Sequence, residues 1–460
     1  MNLSVVILAA GKSTRFKSAT PKVLHPLNER PLLQYTLDLA LALTSDPPVI
    51  VVGPETEAEI RAWAGESARY ARQVERLGTG HAMLQAAPLL KGCGGHVLVL
   101  YGDMPLLREE TLRELIAQQR ETEAAITVLT VERPDPRGFG RIVRNAAARI
   151  QAIVEDIEAP PEIQAIRELN TGIYCFAADF LWPHLPQLQP SPRKGEYYLT
   201  DLIALAADAG HTVSGLRVLD PAEGLGINTR ADLAVAAAAL RQRINTRWML
   251  AGVTLIDPAT TYIGPDVTLG AETVIHPNTH LRGATTIGSA CEIGPNTIVE
   301  NCTLGDRCRA FASVLEDAVM EDESDIGPFG HLRKGARLCR GAHMGNFGEM
   351  KNSTLGPGAK MGHFSYLGDA EVGANANIGA GTITCNYDGQ RKHATVIEEG
   401  AFIGSDTMLV APVRVGAGAK TGAGAVVTRD VPPHSVAYGV PARVKEASDT
   451  SEDEGDSGRQ

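Results

Sequence analysis

Ile263-Gly264-Pro265-Asp266-Val267-Thr268-Leu269-Gly270-Ala271-Glu272-Thr273-Val274-Ile275 carries an apolar residue at every sixth position. The beat continues through Leu281, Ile287, Ile293 and Val299, and a Gly often follows the apolar residue, as at Gly264, Gly270, Gly288 and Gly294. A period of six is neither helical nor a plain strand alternation; it marks a hexapeptide β-helix. Each hexapeptide is one short strand plus a corner. Three make a coil, so residues 18 apart stack roughly 4.8 Å apart. The apolar side chain fills the prism, and Gly accepts the backbone bend at the corner. The register slips near Leu304, and Phe311 to Ser324 reads as irregular. It resumes at Ile326, Leu332, Leu338, Met344 and Met350, steps by five to Leu355, Met361 and Leu367, and by five again to Val372 and Ile378. It returns at Ile403, Leu409 and Val415. Thr382-Ile383-Thr384-Cys385-Asn386-Tyr387-Asp388-Gly389 through His393 is expected to leave the prism as a loop, and loops on rigid scaffolds commonly carry binding residues.

Ahead of this repeat the pattern changes. Val5–Leu8, Val49–Val52, Val97–Tyr101 and Ile126–Val131 are short β-branched-rich runs, with helical spacing over Pro31–Leu43 and Glu109–Gln119 between them. Strand–helix alternation predicts a mainly parallel, doubly wound, Rossmann-like sheet, whose ligands sit beyond the carboxyl ends of the strands. Thr229-Arg230-Ala231-Asp232 has the form of a capping box, and good helix formers follow from Ala231 to Met249. The expected organisation is α/β plus β: a doubly wound domain over 1–229, a linker helix over 230–250, a left-handed parallel β-helix over 251–444 and an acidic disordered tail over 445–460.

The net charge of −11 argues against a broad basic surface for nucleic acid, leaving room only for a local phosphate pocket. No run approaches a membrane span. The N-terminus enters Val5-Val6-Ile7-Leu8 too early for a signal peptide. Seven scattered cysteines, none spaced C-x-x-C, suggest neither a disulfide framework nor a zinc site, and fit a reducing cytoplasm.

The first strand runs into Leu8-Ala9-Ala10-Gly11-Lys12-Ser13-Thr14-Arg15, and Pro21-Lys22 follows. Small residues let backbone N–H groups approach a triphosphate, and Arg15 and Lys22 supply cations. Neither a Walker loop nor a dinucleotide fingerprint is present; read alone, the turn is equally a tight βα connection. Val97-Leu98-Val99-Leu100-Tyr101-Gly102-Asp103 puts an acid at the carboxyl end of a buried strand, where it would hold Mg²⁺ on phosphates or cap the next helix.

With Gln73 and Leu77-Gly78-Thr79-Gly80-His81, these stretches resemble the sugar-nucleotide pyrophosphorylase family. The resemblance is best to the bacterial bifunctional N-acetylglucosamine-1-phosphate uridyltransferases/glucosamine-1-phosphate N-acetyltransferases, and it spans residues 3 to 441. It implies uridine contacts at Leu8, Ala9, Ala10, Gly11, Gln73, Gly78 and Thr79, with Tyr101 and Gly102 lining the same site. It implies sugar contacts at Gly140, Glu155 and Asn170, Mg²⁺ at Asp103 and Asn228, and phosphate stabilisation by Lys22 and Arg15. The family loop usually reads G-x-G-T-R, whereas here Ser13 replaces the second Gly.

On the β-helix, Arg333 and Lys351 each follow an apolar repeat residue and stand 18 apart, so they stack on one face. Two cations about 5 Å apart repel by roughly 3 kcal/mol at an effective dielectric near 20, which splaying relieves and a bound phosphate turns into a clamp. Glu349, His363, Tyr366 and Asn377 are close by and off the inward position. Acetyl transfer to an amine needs a base; His363 suits it, with Glu349 to orient or polarise it. The resemblance implies glucosamine-1-phosphate binding by Arg333, Lys351, Tyr366 and Asn377. It implies acetyl-CoA contacts at Ala380, Asn386, Tyr387, Ser405 and Ala423, a loop reaching a neighbouring subunit, and a homotrimer. The family's C-terminal Arg has Arg443 as its nearest counterpart, in a segment one residue shorter.

The expected function is acetyl-CoA-dependent acetylation of glucosamine-1-phosphate, then reaction of N-acetylglucosamine-1-phosphate with UTP to release pyrophosphate, supplying a precursor of cell-envelope polymers such as peptidoglycan. The alternatives are a single-activity pyrophosphorylase with a β-helix for assembly, and a trimeric scaffold that binds without turnover.

Overall fold

The computed structural model describes residues 2–445 except 91, 93, 134, 135 and 137. The acidic tail from residue 446 lies outside the described residues. The chain divides into two compact units, Met1–Leu240 and Arg241–Gln460, the division falling within a single helix.

The first unit is built on a mixed sheet. Its strands are β1 (Leu3–Leu8), β2 (Val49–Val52), β3 (Arg69–Arg72), β4 (His96–Tyr101), β5 (Ile126–Glu132), β6 (Arg141–Arg144), β7 (Ile150–Val154), β8 (Glu168–Ala177) and β9 (Val213–Arg217). The central order is β9-β5-β8-β4-β1-β2-β3, with β6 and β7 as a hairpin beside β8. Strands β1 to β4 pair in parallel, as the alternation predicted. The unanticipated element is β8, which runs antiparallel to both β4 and β5. Its burial on both faces hides the period-2 signal that would have revealed it. Helices α1 (Leu32–Leu43), α2 (Thr79–Leu90) and α3 (Glu109–Glu121) flank the sheet, which buries Ile7, Ile50, Leu98 and Leu100 completely.

Helix α4 (Arg230–Leu250) begins at the predicted capping box. Thr229 Oγ1 accepts from the Asp232 N–H at 3.2 Å, and Asp232 Oδ2 accepts from the Thr229 N–H at 2.7 Å.

The second unit is a three-walled parallel prism. The first wall starts at Thr254–Leu255, the second at Tyr262–Ile263 and the third at Thr268–Leu269. Successive strands on a wall pair in register, as Ile263 with Leu281 and Leu269 with Ile287. The inward residues Leu281, Ile293, Val299, Leu332 and Met350 are fully buried, and each such side chain contributes about 1.5–3 kcal/mol.

Two readings of the repeat need correction. The stretch 311–324 is not a break: Val314–Glu316 and Val319–Met320 sit on the second and third walls, reached by five-residue rather than six-residue steps. A shorter corner hides the beat without interrupting the coil. Thr382 to Cys385 also stay on the prism, because Ile383–Cys385 is a second-wall strand that pairs with Met408–Val410. Only 386–394 project before Thr395–Ile397 rejoins the third wall. Lys445, assigned to the tail, closes a final strand, Arg443–Lys445, antiparallel to Val436–Tyr438.

Candidate functional sites

In the first unit, β1 and β4 pair in register up to Leu8 and Tyr101, so their carboxyl ends emerge side by side. Ala9, Ala10 and Gly11 leave one strand; Gly102 and Asp103 leave the other. A Cβ at Gly102 would come within 2.9 Å of the Leu33 side chain, which would have to shift to admit it. Gln73 lies at the end of β3, two strands along, its N–H donating to Val52 O. Gly78 and Thr79 open α2.

Four residues far apart in the chain converge on one point. Lys22 Nζ donates to Asp103 Oδ2 at 2.6 Å and to Asn228 Oδ1 at 3.3 Å. Arg15 Nη2 reaches the same Asn228 oxygen at 3.1 Å. The carboxylate and the carboxamide oxygen thus share one cation. Two hard oxygens gathered this way fit Mg²⁺, which takes few protein ligands and completes its shell with phosphate and water.

Gly140, Glu155 and Asn170 border a second part of this crevice. Glu155 is half-buried, and its loss of solvent pushes its pKa up, with a 3.0 Å hydrogen bond from the Thr200 hydroxyl opposing. Asn170 donates to the Tyr174 hydroxyl at 2.7 Å and accepts from the Gly172 N–H at 3.0 Å. A Cβ on Gly140 would crowd Ile153 at 2.9 Å. Burial raises the Tyr101 pKa strongly, so its phenol stays protonated.

Sequence reading missed two supports of this site. Arg76 Nε donates to Ala10 O at 2.6 Å and its guanidinium is paired with Glu55, holding that carboxyl down at about 2. It props the phosphate-facing turn from behind. Thr200 holds Glu155 from 45 residues away. Neither belongs to a motif, and neither spacing carries a signal.

On the β-helix, Arg333 and Lys351 do share the second wall, because Leu332 pairs with Met350 in the adjacent coil. Glu349 does not reach His363 by a hydrogen bond; its carboxylate accepts from Arg333 Nη1 at 2.8 Å, so its observed role is a counter-ion to the clamp. The Lys351 ammonium makes no hydrogen bond or ion pair among the described residues. Tyr366 stacks on Glu349 in the next coil, and its hydroxyl lies over Gly368, where a Cβ would meet it at 2.4 Å. Asn377 is on the first wall, facing the same prism edge.

That edge carries the remaining residues. Met361 pairs with Ile378, Ile378 with Ile403, and Phe402 with Lys420. Two positions after the inward residue of each coil come His363, Ala380, Ser405 and Ala423, one above another on a single corner. His363 is exposed and has no hydrogen bond among the described residues. Three small residues above it leave a path roughly 14 Å long at about 4.8 Å per coil. Asn386 is held at the top of the second wall by a 2.5 Å hydrogen bond to Asp369. Although burial works the other way, hydrogen bonds from Asn352 and Asn386 keep the Asp369 pKa low. Tyr387 projects, 61% exposed, from a loop that Asp388 ties together by accepting from the Gln390 and Arg391 N–H groups. Phe329, Phe347 and Phe364 follow the same corner outward, 55–60% exposed, with the first two rings stacked at 5.1 Å.

Comparison with known proteins agrees with both units. Residues 5–188 match the MobA-like NTP transferase domain, and residues 394–429 match the bacterial transferase hexapeptide (six repeats). The chain is 48% identical over 439 residues to the bifunctional protein GlmU of Pelobacter propionicus, covering 95% of each. It is 46% identical to that of Brevibacillus brevis, covering 95% of this chain and 94% of the relative. It is 47% identical to that of Geotalea uraniireducens, covering 95% and 96%.

The chain belongs to the GlmU family. It is a bifunctional enzyme, a uridyltransferase and an acetyltransferase, with the left-handed β-helix of hexapeptide transferases as its second domain. Among the described residues no helix is long and apolar enough to cross a membrane.

Proposed function

We propose that the two activities run on the two clusters just described, acetyl transfer at the His363 edge and uridylyl transfer at the Lys22–Asp103–Asn228 crevice. The observation that supports the reading is the corner column His363–Ala380–Ser405–Ala423 after the first-wall strands, together with the Arg333/Lys351 pair on the second wall. The column offers an imidazole with no hydrogen-bond partner among the described residues, and the pair offers two cations for an anionic group.

On the β-helix, Arg333 and Lys351 grip the phosphate of glucosamine-1-phosphate, with Tyr366 and Asn377 orienting the sugar. Its arrival exchanges Glu349 for phosphate beside Arg333. Acetyl-CoA lies along the corner past Ala380, Ser405 and Ala423, with Asn386 and Tyr387 at its side. The amine attacks the thioester carbonyl, His363 accepts the amine proton, the carbon–sulfur bond breaks, and the proton passes to the departing thiolate.

In the crevice, Leu8, Ala9, Ala10, Gly11, Gln73, Gly78 and Thr79 hold uridine. Tyr101 and Gly102 line the floor. Gly140, Glu155 and Asn170 hold the N-acetylated sugar. The nucleophile is a sugar-phosphate oxygen, already anionic, so no general base is needed. Lys22 and Arg15 bring it to the α-phosphate of UTP and relieve anion repulsion; the new phosphate bond forms as pyrophosphate leaves. The family generally uses a divalent metal; Mg²⁺ held by Asp103 and Asn228 would supply further charge neutralisation on the triphosphate.

The exposed Phe329, Phe347 and Phe364 support a homotrimer, since a contiguous aromatic patch favours cover by another surface. No partner nucleic acid or membrane enters this reading, and the cytoplasm supplies the reduced, nucleotide-rich setting it requires.

The test is a paired assay. His363→Ala should lower acetyl transfer by about 10²–10⁴-fold and spare uridylyl transfer. Asp103→Ala should do the reverse. Equal loss of both activities in either variant would refute the assignment.

A further inference from the structure

His81 stands in the first turn of α2. Its Nδ1 lies 3.2 Å from the Gln73 carboxamide nitrogen. Gln73 is 3% exposed, and its carboxamide nitrogen has two acceptors: Gly78 O at 3.1 Å and His81 Nδ1 at 3.2 Å. A carboxamide has two N–H bonds. Both are therefore committed inside the protein. Oε1 meets no protein donor among the described residues and is not sealed from solvent, so the oxygen is what Gln73 offers to a ligand. The Gly78 N–H likewise donates to no group among the described residues.

An acceptor beside a donor fits one face of a pyrimidine. Uracil presents N3–H next to the O4 acceptor. Cytosine presents the reverse, a bare N3 next to an amino group, and meets Gln73 Oε1 and the Gly78 N–H with like against like. Without an acceptor at the His81 Nδ1 position, one Gln73 N–H loses its partner. The carboxamide can then turn and offer a donor to cytosine N3. With Nδ1 accepting, His81 Nε2 carries the ring proton, so the Gln85 carboxamide nitrogen does not donate to the ring; it donates to the His81 backbone carbonyl at 3.2 Å.

We infer that His81 is a positioning residue for base selection: by accepting from Gln73 it fixes the carboxamide oxygen toward the base and makes the site selective for a uracil-type imide over cytosine. This rests on the placement of the base at Gln73 proposed above.

The experiment uses the full chain and compares kcat/KM for UTP and CTP at saturating N-acetylglucosamine-1-phosphate. His81→Leu removes the acceptor and should lower the UTP:CTP ratio at least tenfold. His81→Asn can place Oδ1 where Nδ1 was, and should hold the ratio within about threefold of the parent. Acetyl transfer should be unchanged in both, and a far-UV circular dichroism spectrum and a thermal unfolding curve matching the parent report on folding of the first unit. Gln73→Ala should also collapse the ratio. If it does so while His81→Leu leaves the ratio within threefold, the role of His81 is overturned. If Gln73→Ala leaves the ratio intact, the base is read elsewhere and the placement itself fails. Should His81→Leu not fold, a His81→Asn protein with a collapsed ratio would overturn the inference on its own.

Discussion

The two units solve the same problem, bringing distant residues together, in opposite ways. On the β-helix, spatial neighbours are 16 to 18 residues apart wherever a coil is uninterrupted, so Arg333 and Lys351 meet because the chain repeats. In the mixed-sheet unit, Lys22, Asp103 and Asn228 are separated by 81 and 206 residues, and they meet because separate strands and loops end at one edge. The first site is a consequence of period; the second is a consequence of topology. A site made by period fails when the repeat's interior fails. A site made by topology fails when one support is lost.

The largest effect expected within this contrast comes from hollowing the prism. Leu367 is fully buried in the coil that carries Tyr366 and stacks on Met350, in the coil that carries Lys351. Leu367→Ala should destabilise the β-helix by about 2–5 kcal/mol. Thermal unfolding followed with both assays should show acetyl transfer lost at lower temperature and uridylyl transfer unaffected. Simultaneous loss of both would mean that the interior of the prism also governs the crevice.

Removing one support from the other unit should act more narrowly. Arg76→Ala frees Ala10 O and the turn that faces the triphosphate. The KM for UTP should rise about tenfold, in line with loss of a charged hydrogen bond, with kcat little changed. An unchanged KM would show that the turn holds its shape without Arg76.

This contrast also explains what could be read from sequence. Period six gave the prism, its walls and the Arg333/Lys351 column directly. The five-residue corners between Leu304 and Ile326 were opaque because a beat counter registers a missing residue as a break, whereas the coil simply takes a tighter corner. A second inward position, two before each apolar residue, went unread: it holds small residues such as Thr273, Thr285, Ala336 and Ala359, all buried. Cys291, Cys302 and Cys308 occupy it as well, which accounts for cysteines that seemed scattered. In the crevice, motif resemblance indicated Asp103 and Asn228, but Arg76 and Thr200 depend on how separate elements meet, which no local pattern encodes. The antiparallel strand β8 was missed for the same reason.

Glu155 allows a pH test of the crevice. Its pKa is raised in the folded protein, chiefly by burial. Below the ordinary glutamate pKa both states are protonated and no penalty arises. As pH rises past that value the unfolded chain ionises first, so stability falls with pH until the folded group ionises too. Glu155→Gln should flatten that decline and raise Tm at neutral pH. It should also raise the KM for N-acetylglucosamine-1-phosphate roughly tenfold. A Tm unchanged across pH 4 to 8 would show that Glu155 carries no burial cost.

The smallest effect concerns Ser13, where this chain departs from its family's loop. Ser13 adopts φ 55°, ψ 29°, the left-handed conformation that the usual glycine takes without penalty. The backbone requirement has therefore outlived the residue suited to it. A non-glycine residue there costs about 1–2 kcal/mol, but glycine would lose roughly 0.5–1 kcal/mol more in chain entropy on folding. The two nearly cancel. Ser13→Gly should stabilise by about 0.5 kcal/mol and change the UTP KM by less than about threefold, whereas Ser13→Val, β-branched and ill-suited to positive φ, should be the worse of the two. Denaturant titration beside a UTP saturation curve would decide it. A large gain in activity from Ser13→Gly would mean that the serine restrains the turn, making the loop's stiffness, and not only its shape, part of the triphosphate site.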